Sequence, residues 1–223
     1  HEFLGQGWAK KDKETRSPNL LRMIQHFNDI GSHVALTIVS ERDIKRRAAI
    51  VIRCIHVIEE AQKVQNYFCV FAISAALNSS SISRLKKTWE EVNRAYKNAE
   101  RAMAITVPTA NYQEYRNLVR SCTPPALPYI GLFLSDLTFI EDGNPDTLEP
   151  EGAKEGEKYI NFAKLEMVAK GIQEFQKFLV KPYNFAPVEE ISNWLANPQT
   201  ASEKECFDKS LIAEPREQRQ QAN

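Results

Sequence analysis

Apolar residues recur every three or four positions along most of this chain, which is the spacing that places them on one face of an α-helix. The first such stretch begins at Ser17-Pro18, where a hydroxyl cap precedes a proline, and extends to about Val39. A second stretch begins after Asp43, a suitable capping residue. Its apolar positions cover so much of the helix circumference that we predict a central place in a helical bundle.

The same spacing predicts further helices with clear ends. They cover residues 67–77, 86–105 (as one or two surface helices), 111–121, 157–180, 188–196 and 202–212. Residues 78–81 end the first of these, Pro108 ends the second and Pro124-Pro125 ends the third, because proline cannot continue a helix.

Residues 133–140 are ambiguous, since their β-branched and aromatic content also suits a strand. Leu127, Ile130, Leu134 and Leu137 keep the helical spacing, and no partner strand is evident. We therefore predict a helix here, followed by an acidic, turn-rich loop at residues 143–156.

These elements predict an all-α fold. The chain contains only 8 glycines among 223 residues, which does not suit an all-β protein with many tight turns. No repeat and no Gly- or Ser-rich linker divides it. We expect a single helical domain at residues 1–213, and a polar, frayed tail at 214–223.

The charge balance and the length of the apolar runs argue against some classes of function. The 29 basic and 29 acidic residues give no net charge, which argues against a nucleic-acid partner. No apolar run approaches the ~18 residues of a membrane span, so direct membrane insertion is not expected. No signal peptide is visible, and widely spaced cysteines indicate reduced thiols in a cytoplasmic protein, with zinc ligation as the lesser alternative. These cysteines are Cys54, Cys69, Cys122 and Cys206.

Motifs for catalysis or cofactors are missing from the sequence. There is no GxxxxGK[ST], no GxGxxG after a strand, no HExxH and no GxSxG, so we predict neither a cofactor nor a metal ion. His26, Asp29 and His33 share a predicted helix at ligand-like spacing, but a solvated helix face explains them better. Glu141 and Asp142 could act in general acid–base catalysis, although adjacent carboxylates more often mark a helix end.

Several segments, in one order from about Leu4 to Arg216, resemble the catalytic domain of Ras-type guanine nucleotide exchange factors, of the Son-of-sevenless type. They are Leu4-Gly-Gln-Gly-Trp8, Lys10 to Glu14, Ser17 to Gln25, Asn78-Ser-Ser80 with Arg84-Leu85 and Thr88-Trp89, Pro124 to Pro145, Ile160-Asn-Phe162 and Lys181-Pro-Tyr-Asn184. The resemblance implies a protruding helical hairpin at about residues 129–180. It also implies that the family's first helix and its upstream helical module are absent from this chain.

The resemblance also implies a function. The chain would bind a Ras-like small GTPase, best in its nucleotide-free form, and would promote GDP release for GTP loading without making or breaking a covalent bond. It would act in the cytoplasm, recruited to the inner face of a membrane through other domains. The alternative is a non-catalytic helical module that binds a GTPase or another protein without exchange.

Residue roles follow from the resemblance alone. Asp142 would reach the phosphate-binding region of the GTPase, and Asn78 would hydrogen-bond switch II. Thr138 would sit where an apolar residue can occlude the metal site of the GTPase. This chain departs from the Son-of-sevenless type at three positions. That type carries leucine where this chain has Thr138, glutamate where it has Asp142 and arginine where it has Gln25. Further contacts with the GTPase would come from Trp8, Met23, Gln25, Phe71, Ser79, Ser80, Ser83, Arg84, Tyr129, Phe133 and Ser135.

Overall fold

The structure is a computed structural model, which describes residues 1–149 and 156–216. The α-helices in this part of the chain are α1 (Lys13–Arg16), α2 (Pro18–Ser40), α3 (Ile44–Lys63), α4 (Tyr67–Asn78), α5 (Ser80–Ser83), α6 (Lys86–Ala95), α7 (Ala99–Met103), α8 (Gln113–Ser121), α9 (Ile130–Gly143), α10 (Phe162–Gln176), α11 (Glu189–Ala196) and α12 (Glu203–Ala213). Short 3-10 helices cover Leu4–Ala9, Ala104–Thr106 and Lys177–Leu179. Two-residue strands β1 (Thr147–Leu148) and β2 (Tyr159–Ile160) pair antiparallel. The predicted all-α fold class is confirmed.

The chain forms two compact units. Unit 1 consists of His1–Gln25 and Thr123–Tyr183, and unit 2 of His26–Cys122 and Asn184–Asn223. The long helix α2 contributes its first part to unit 1 and its remainder to unit 2. The predicted hairpin lies in unit 1.

Unit 2 is built around α3, which packs against α4, α6 and α7. Val51, Ile55 and Ile58 on α3 are fully buried, as expected for the central helix predicted from its wide apolar stripe. The Asp43 side chain accepts a hydrogen bond from the Arg46 backbone N–H at 2.8 Å, which confirms the predicted cap.

The end of unit 2 differs from the prediction of a frayed tail starting at Glu214. Helix α12 begins with a reciprocal capping box between Ser202 and Glu205. After this helix ends, Glu214 is only 7% exposed, and its carboxylate accepts hydrogen bonds from Arg47 and Thr88. Buried polar partners therefore hold this part of the tail in place. Residues 217–223 lie outside the described residues.

Unit 1 contains the helical hairpin formed by α9 and α10, which pack against each other. Helix α9 is helical throughout, which confirms the helix that we preferred over a strand at residues 133–140. The prediction that a helix starts at residue 157 is wrong. Tyr159 and Ile160 form β2, and α10 begins only after Asn161, whose side chain accepts from the Lys164 N–H at 3.1 Å.

The cysteines are reduced within the described residues. Cys206 is buried, and the other three, Cys54, Cys69 and Cys122, are partly buried. Burial raises the pKa of the Cys54 thiol to about 11, so that thiol is protonated and unreactive at neutral pH. Among the helices of residues 1–149 and 156–216, none is both long and apolar enough to cross a membrane.

Candidate functional site

The last turn of α9 in unit 1 carries two adjacent carboxylates that point to different partners. Glu141 is partly buried and Asp142 is exposed. Successive side chains in an α-helix are rotated by about 100° because the helix has 3.6 residues per turn. One carboxylate therefore faces the second arm of the hairpin while the other remains on the surface.

Lys164 of α10 binds the inward-facing carboxylate. Its ammonium group lies 2.6 Å from a Glu141 carboxylate oxygen and 2.6 Å from Asp146 Oδ1, and only 6% of its side chain is exposed. Hydrogen bonds to Asp146 and Glu141 raise the pKa of Lys164, and the Lys164 hydrogen bond lowers the pKa of Asp146. This cation ties the end of α9 and the start of the loop to α10.

Asp142 is held from the other side by the Leu4–Ala9 segment. The Gln6 side-chain amide donates a hydrogen bond to Asp142 Oδ1 at 2.8 Å. Gln6 has a left-handed backbone conformation (φ 54°, ψ 38°), as does the preceding Gly5 (φ 57°, ψ 32°). Left-handed geometry is uncommon for a residue other than glycine, so the segment holds Gln6 in a conformation that an unconstrained chain rarely adopts.

Two other predicted residues of α9 lie on its outer side. Ser135 is exposed, and Thr138 is half-buried, with its hydroxyl donating to the Leu134 carbonyl at 2.9 Å. Tyr129, just before α9, lies over Gly131, where an added Cβ would meet the tyrosine hydroxyl at 2.3 Å. Because glycine has no side chain, position 131 leaves room for the Tyr129 ring.

Three of the predicted contact residues gather in one place in unit 1. Trp8, Met23 and Phe133 are partly buried and pack against one hydrophobic cluster. That cluster consists of Leu20, Ile130, Leu134 and Phe175. Gln25 is exposed on α2. The three half-buried side chains lie on a buried apolar cluster, which suits contact with apolar groups of a partner.

The other candidate surface lies in unit 2, at the end of α4. Asn78, Ser80 and Ser83 are exposed, and Ser79 is half-buried with its hydroxyl 3.0 Å from that of Ser81. Among the hydrogen bonds within the described part of the chain, none involves the Asn78 side chain. Helix α4 ends instead through the Ser79 N–H, which donates to the Ala76 carbonyl. The Asn78 amide therefore does not cap its own helix.

Two predicted contact residues of unit 2 have extensive internal contacts. The Arg84 guanidinium donates to the Ser210 carbonyl at 2.6 Å and to the Glu214 carbonyl at 2.9 Å. Phe71 is 6% exposed and packs edge-on against Tyr115, with ring centroids 4.8 Å apart. Both residues support the fold around the exposed Asn78, and their contacts with a GTPase stay predictions.

Metal and cofactor chemistry was not predicted. In residues 1–149 and 156–216, no group of three or more His, Cys, Asp and Glu side chains is arranged to hold a metal ion. His33 forms a hydrogen bond with the Gln199 carbonyl at 2.9 Å, and the His26 ring stacks on Phe68. These two histidines therefore have structural partners.

Sequence reasoning missed Gln6 and Lys164. Lys164 falls among the apolar positions of α10, and a lone cation on an apolar face indicates a buried ion pair. Nothing in the local sequence indicates that Gln6 contacts Asp142, because the bond joins residues 136 positions apart.

Comparison with known protein families tests the family assignment made from the sequence motifs. The model of the RasGEF domain matches residues 1–166. This chain belongs to the RasGEF domain family. The assignment made from the sequence motifs is confirmed, and the same comparisons support the prediction of guanine nucleotide exchange on a Ras-type GTPase.

Relatives of this RasGEF domain are similar over almost its whole length. Ras guanine nucleotide exchange factor P of Dictyostelium discoideum is 43% identical over 218 residues, which is 97% of this chain and 14% of the relative. Ras-specific guanine nucleotide-releasing factor 2 is 36% identical in Danio rerio and 35% in Mus musculus, in each case over 96% of this chain. The chain spans 17% and 18% of those two proteins.

Proposed function

We propose that this RasGEF domain accelerates GDP release from a Ras-like GTPase by binding the nucleotide-free GTPase better than the GDP-loaded form. Differential binding of this kind lowers the barrier to nucleotide release without a covalent step. The observation that carries the proposal is the exposed Asp142 carboxylate, held at the end of a braced hairpin.

Asp142 would act by charge. The nucleotide in a GTPase is held by contacts of the phosphates and Mg²⁺ with the switch and phosphate-binding loops. A carboxylate brought into that region competes with the phosphates for positive charge and for hydrogen-bond donors. Thr138 lies one turn earlier on α9 and is half-buried, so it would approach the same region as a smaller, less apolar group.

Asn78 would hold switch II. Its amide is exposed and has no partner among the described residues, so both its donors and its acceptor are open to another chain. The exposed hydroxyls of Ser80 and Ser83 lie close by in the sequence and add further polar contacts.

An apolar contact would come from Trp8, Met23 and Phe133. Aromatic residues and methionine are enriched in the cores of protein interfaces, and these three lie on one hydrophobic cluster. Tyr129 and Gln25 would extend the same contact, which would receive side chains of a switch loop.

The domain would change no covalent bond in its partner and would need no cofactor. The balance of 29 basic and 29 acidic residues supports a protein partner over nucleic acid. The domain would not insert directly into a membrane. A place in the cytoplasm, at the inner face of a membrane where other domains bring it, follows from the proposed partner.

The test is complex formation with a Ras-like GTPase in two nucleotide states. We expect a stable complex on size-exclusion chromatography when the nucleotide has been removed, and its dissociation when GTP and Mg²⁺ are added. Equal binding of the GDP-loaded and nucleotide-free forms would contradict exchange, and would favour a module that binds without opening the GTPase.

A further inference from the structure

Asp142 is contacted by a residue that no sequence motif associates with it. Gln6 Nε2 donates to Asp142 Oδ1 at 2.8 Å, and the contact is at the surface. A carboxylate has two oxygens and about four lone-pair positions. The Gln6 bond uses one position on one oxygen, which leaves room for a second partner on the same carboxylate.

The segment that carries Gln6 is anchored on both sides. Before it, the Glu2 carboxylate accepts from the N–H groups of Asn19 and Leu20, both at 2.9 Å, at the start of α2. The Phe3 ring packs edge-on against Phe175, with centroids 5.3 Å apart. After it, Trp8 packs against the hydrophobic cluster of unit 1. The segment therefore cannot move freely relative to α9, and Gln6 is held in place.

Close packing adds to this anchoring at Gly7. Gly7 is buried, and an added Cβ would meet the Ser17 hydroxyl at 2.8 Å. The Ser17 hydroxyl in turn donates to the Glu2 carbonyl at 2.8 Å. The left-handed backbone at Gln6 thus lies between an anchored segment before it (Glu2 and Phe3) and one after it (Gly7 and Trp8), and its side chain reaches the end of α9.

The chemical nature of the donor matters as much as its position. An amide is neutral, so it orients a carboxylate without cancelling its charge, whereas a lysine or arginine would neutralise it. The nearby ammonium group of Lys164 forms ion pairs with Glu141 and Asp146. The two adjacent carboxylates therefore differ. Within residues 1–149 and 156–216, the charge of Glu141 is paired, whereas Asp142 is oriented by a neutral donor and forms no ion pair.

We propose that Gln6 is a positioning residue for exchange, which orients the Asp142 carboxylate toward the GTPase while leaving its charge intact. This inference rests on the proposed function. According to this inference, the action of Asp142 depends on a second segment of the chain, the one that carries Gln6, which is distant from Asp142 in sequence.

The test uses release of a fluorescent GDP analogue from a Ras-like GTPase. Gln6→Met keeps side-chain length and removes the donor, and we expect the maximal exchange rate to fall roughly three- to tenfold. Gln6→Glu keeps the shape and places a like charge against Asp142, and we expect a larger loss. In an Asp142→Asn background, Gln6→Met should cause no further loss.

A swapped pair separates positioning from a purely structural contact. In Gln6→Glu combined with Asp142→Asn, the amide of residue 142 can donate to the carboxylate of residue 6, which restores the hydrogen bond but moves the charge. We expect the swapped protein to unfold at the wild-type temperature and to exchange as slowly as Asp142→Asn alone.

The outcomes distinguish the inference from the proposed function. An inactive wild-type domain would overturn both. An active wild type with unchanged exchange in Gln6→Met would overturn the inference alone, as would additive effects of Gln6→Met and Asp142→Asn. Faster exchange in Gln6→Met would also overturn the inference, because Gln6 would then mask the Asp142 carboxylate. Wild-type activity in the swapped pair would overturn it as well, because the contact would then have only a structural role.

Discussion

The Lys164 ammonium group lies 2.6 Å from a Glu141 carboxylate oxygen, so that a buried cation on the second arm of the hairpin fixes the end of the first. Asp142, the next residue, is thereby carried on a braced helix end. Residues that act on a partner need such support, because a loosely held group loses much of its effect.

We predict that Lys164→Met loosens the hairpin. Removing the cation leaves the partly buried Glu141 unpaired, which should lower the free energy of unfolding by about 1–3 kcal/mol. Hydrogen exchange at residues 141–148 should become faster, and GDP release from the GTPase should slow.

A matched control for this change lies on the same helix. Lys170 pairs with Glu166 at 2.8 Å, but its side chain is 68% exposed, and exposed pairs contribute little. Lys170→Met should therefore leave exchange and stability nearly unchanged. Equal effects of the two substitutions would show that the Lys164 pair does not brace the hairpin.

We predict that unit 2 is sensitive to acid through Glu214. Burial of this carboxyl raises its pKa, but hydrogen bonds from Thr88, Lys87 and Arg47 outweigh burial and lower the pKa below its ordinary value. Because the folded-state pKa is the lower one, Glu214 stabilises the fold fully above its unfolded-state pKa. That stabilisation is lost as the pH falls through the folded-state pKa.

Glu214→Gln tests this contact directly. The substitution removes the charge opposite the fully buried Arg47, and we expect a loss of about 2–4 kcal/mol at neutral pH. The loss should shrink as the pH approaches the folded-state pKa. Urea unfolding at a series of pH values measures it, and a loss that does not change with pH would contradict the role of the ionised carboxylate.

For Asn78→Ala we predict slower exchange at unchanged stability. The Asn78 side chain is exposed and has no hydrogen bond among the described residues, so its removal should cost the fold nothing. In a complex, the loss leaves a polar group of the GTPase unpaired, at about 1–3 kcal/mol, or roughly five- to 150-fold in exchange rate.

The control is the asparagine at the other end of the same helix. Asn66 caps α4 by accepting from the Cys69 N–H at 3.1 Å, so Asn66→Ala should cost about 1 kcal/mol of stability. Its effect on exchange should be small. If Asn78→Ala instead lowers the melting temperature and leaves exchange unchanged, Asn78 belongs to the fold and not to the interface.

For Asp142→Asn we predict slower GDP release with complex formation retained. The amide keeps the shape and removes the charge, so only the electrostatic part of the contact is lost. Asp142→Glu, which restores the charge on a longer side chain, should recover most of the rate. Equal rates for wild type and Asp142→Asn would indicate that the hairpin acts by its bulk.

Much of the fold could be predicted from the sequence because helices follow local rules. The Asp43 cap and the wide stripe of α3 depend on residues three or four positions apart, and both predictions were correct. The start of α10 was placed too early, since Tyr159 and Ile160 form a strand that pairs with β1. Glu214 was assigned to a frayed tail because its partners Arg47 and Thr88 are distant in sequence.

The candidate site, like the fold, was predicted only in part from the sequence. Asp142 and Asn78 were named from family motifs, and the structure places both on the surface. The residues that hold Asp142 in position were missed, because the Gln6 and Lys164 contacts are formed only by tertiary packing. Sequence motifs therefore identify the residues proposed to contact the GTPase better than they identify the residues that hold those contacts in position.

The most direct test of the account is the rate of GDP release from purified Ras-like GTPases loaded with a fluorescent GDP analogue. With excess unlabelled nucleotide present, a catalytic amount of this RasGEF domain should accelerate release from at least one such GTPase far above the intrinsic rate. Asp142→Asn and Asn78→Ala should each reduce that acceleration. Release at the intrinsic rate for every Ras-like GTPase tested, by a folded domain, would contradict the account.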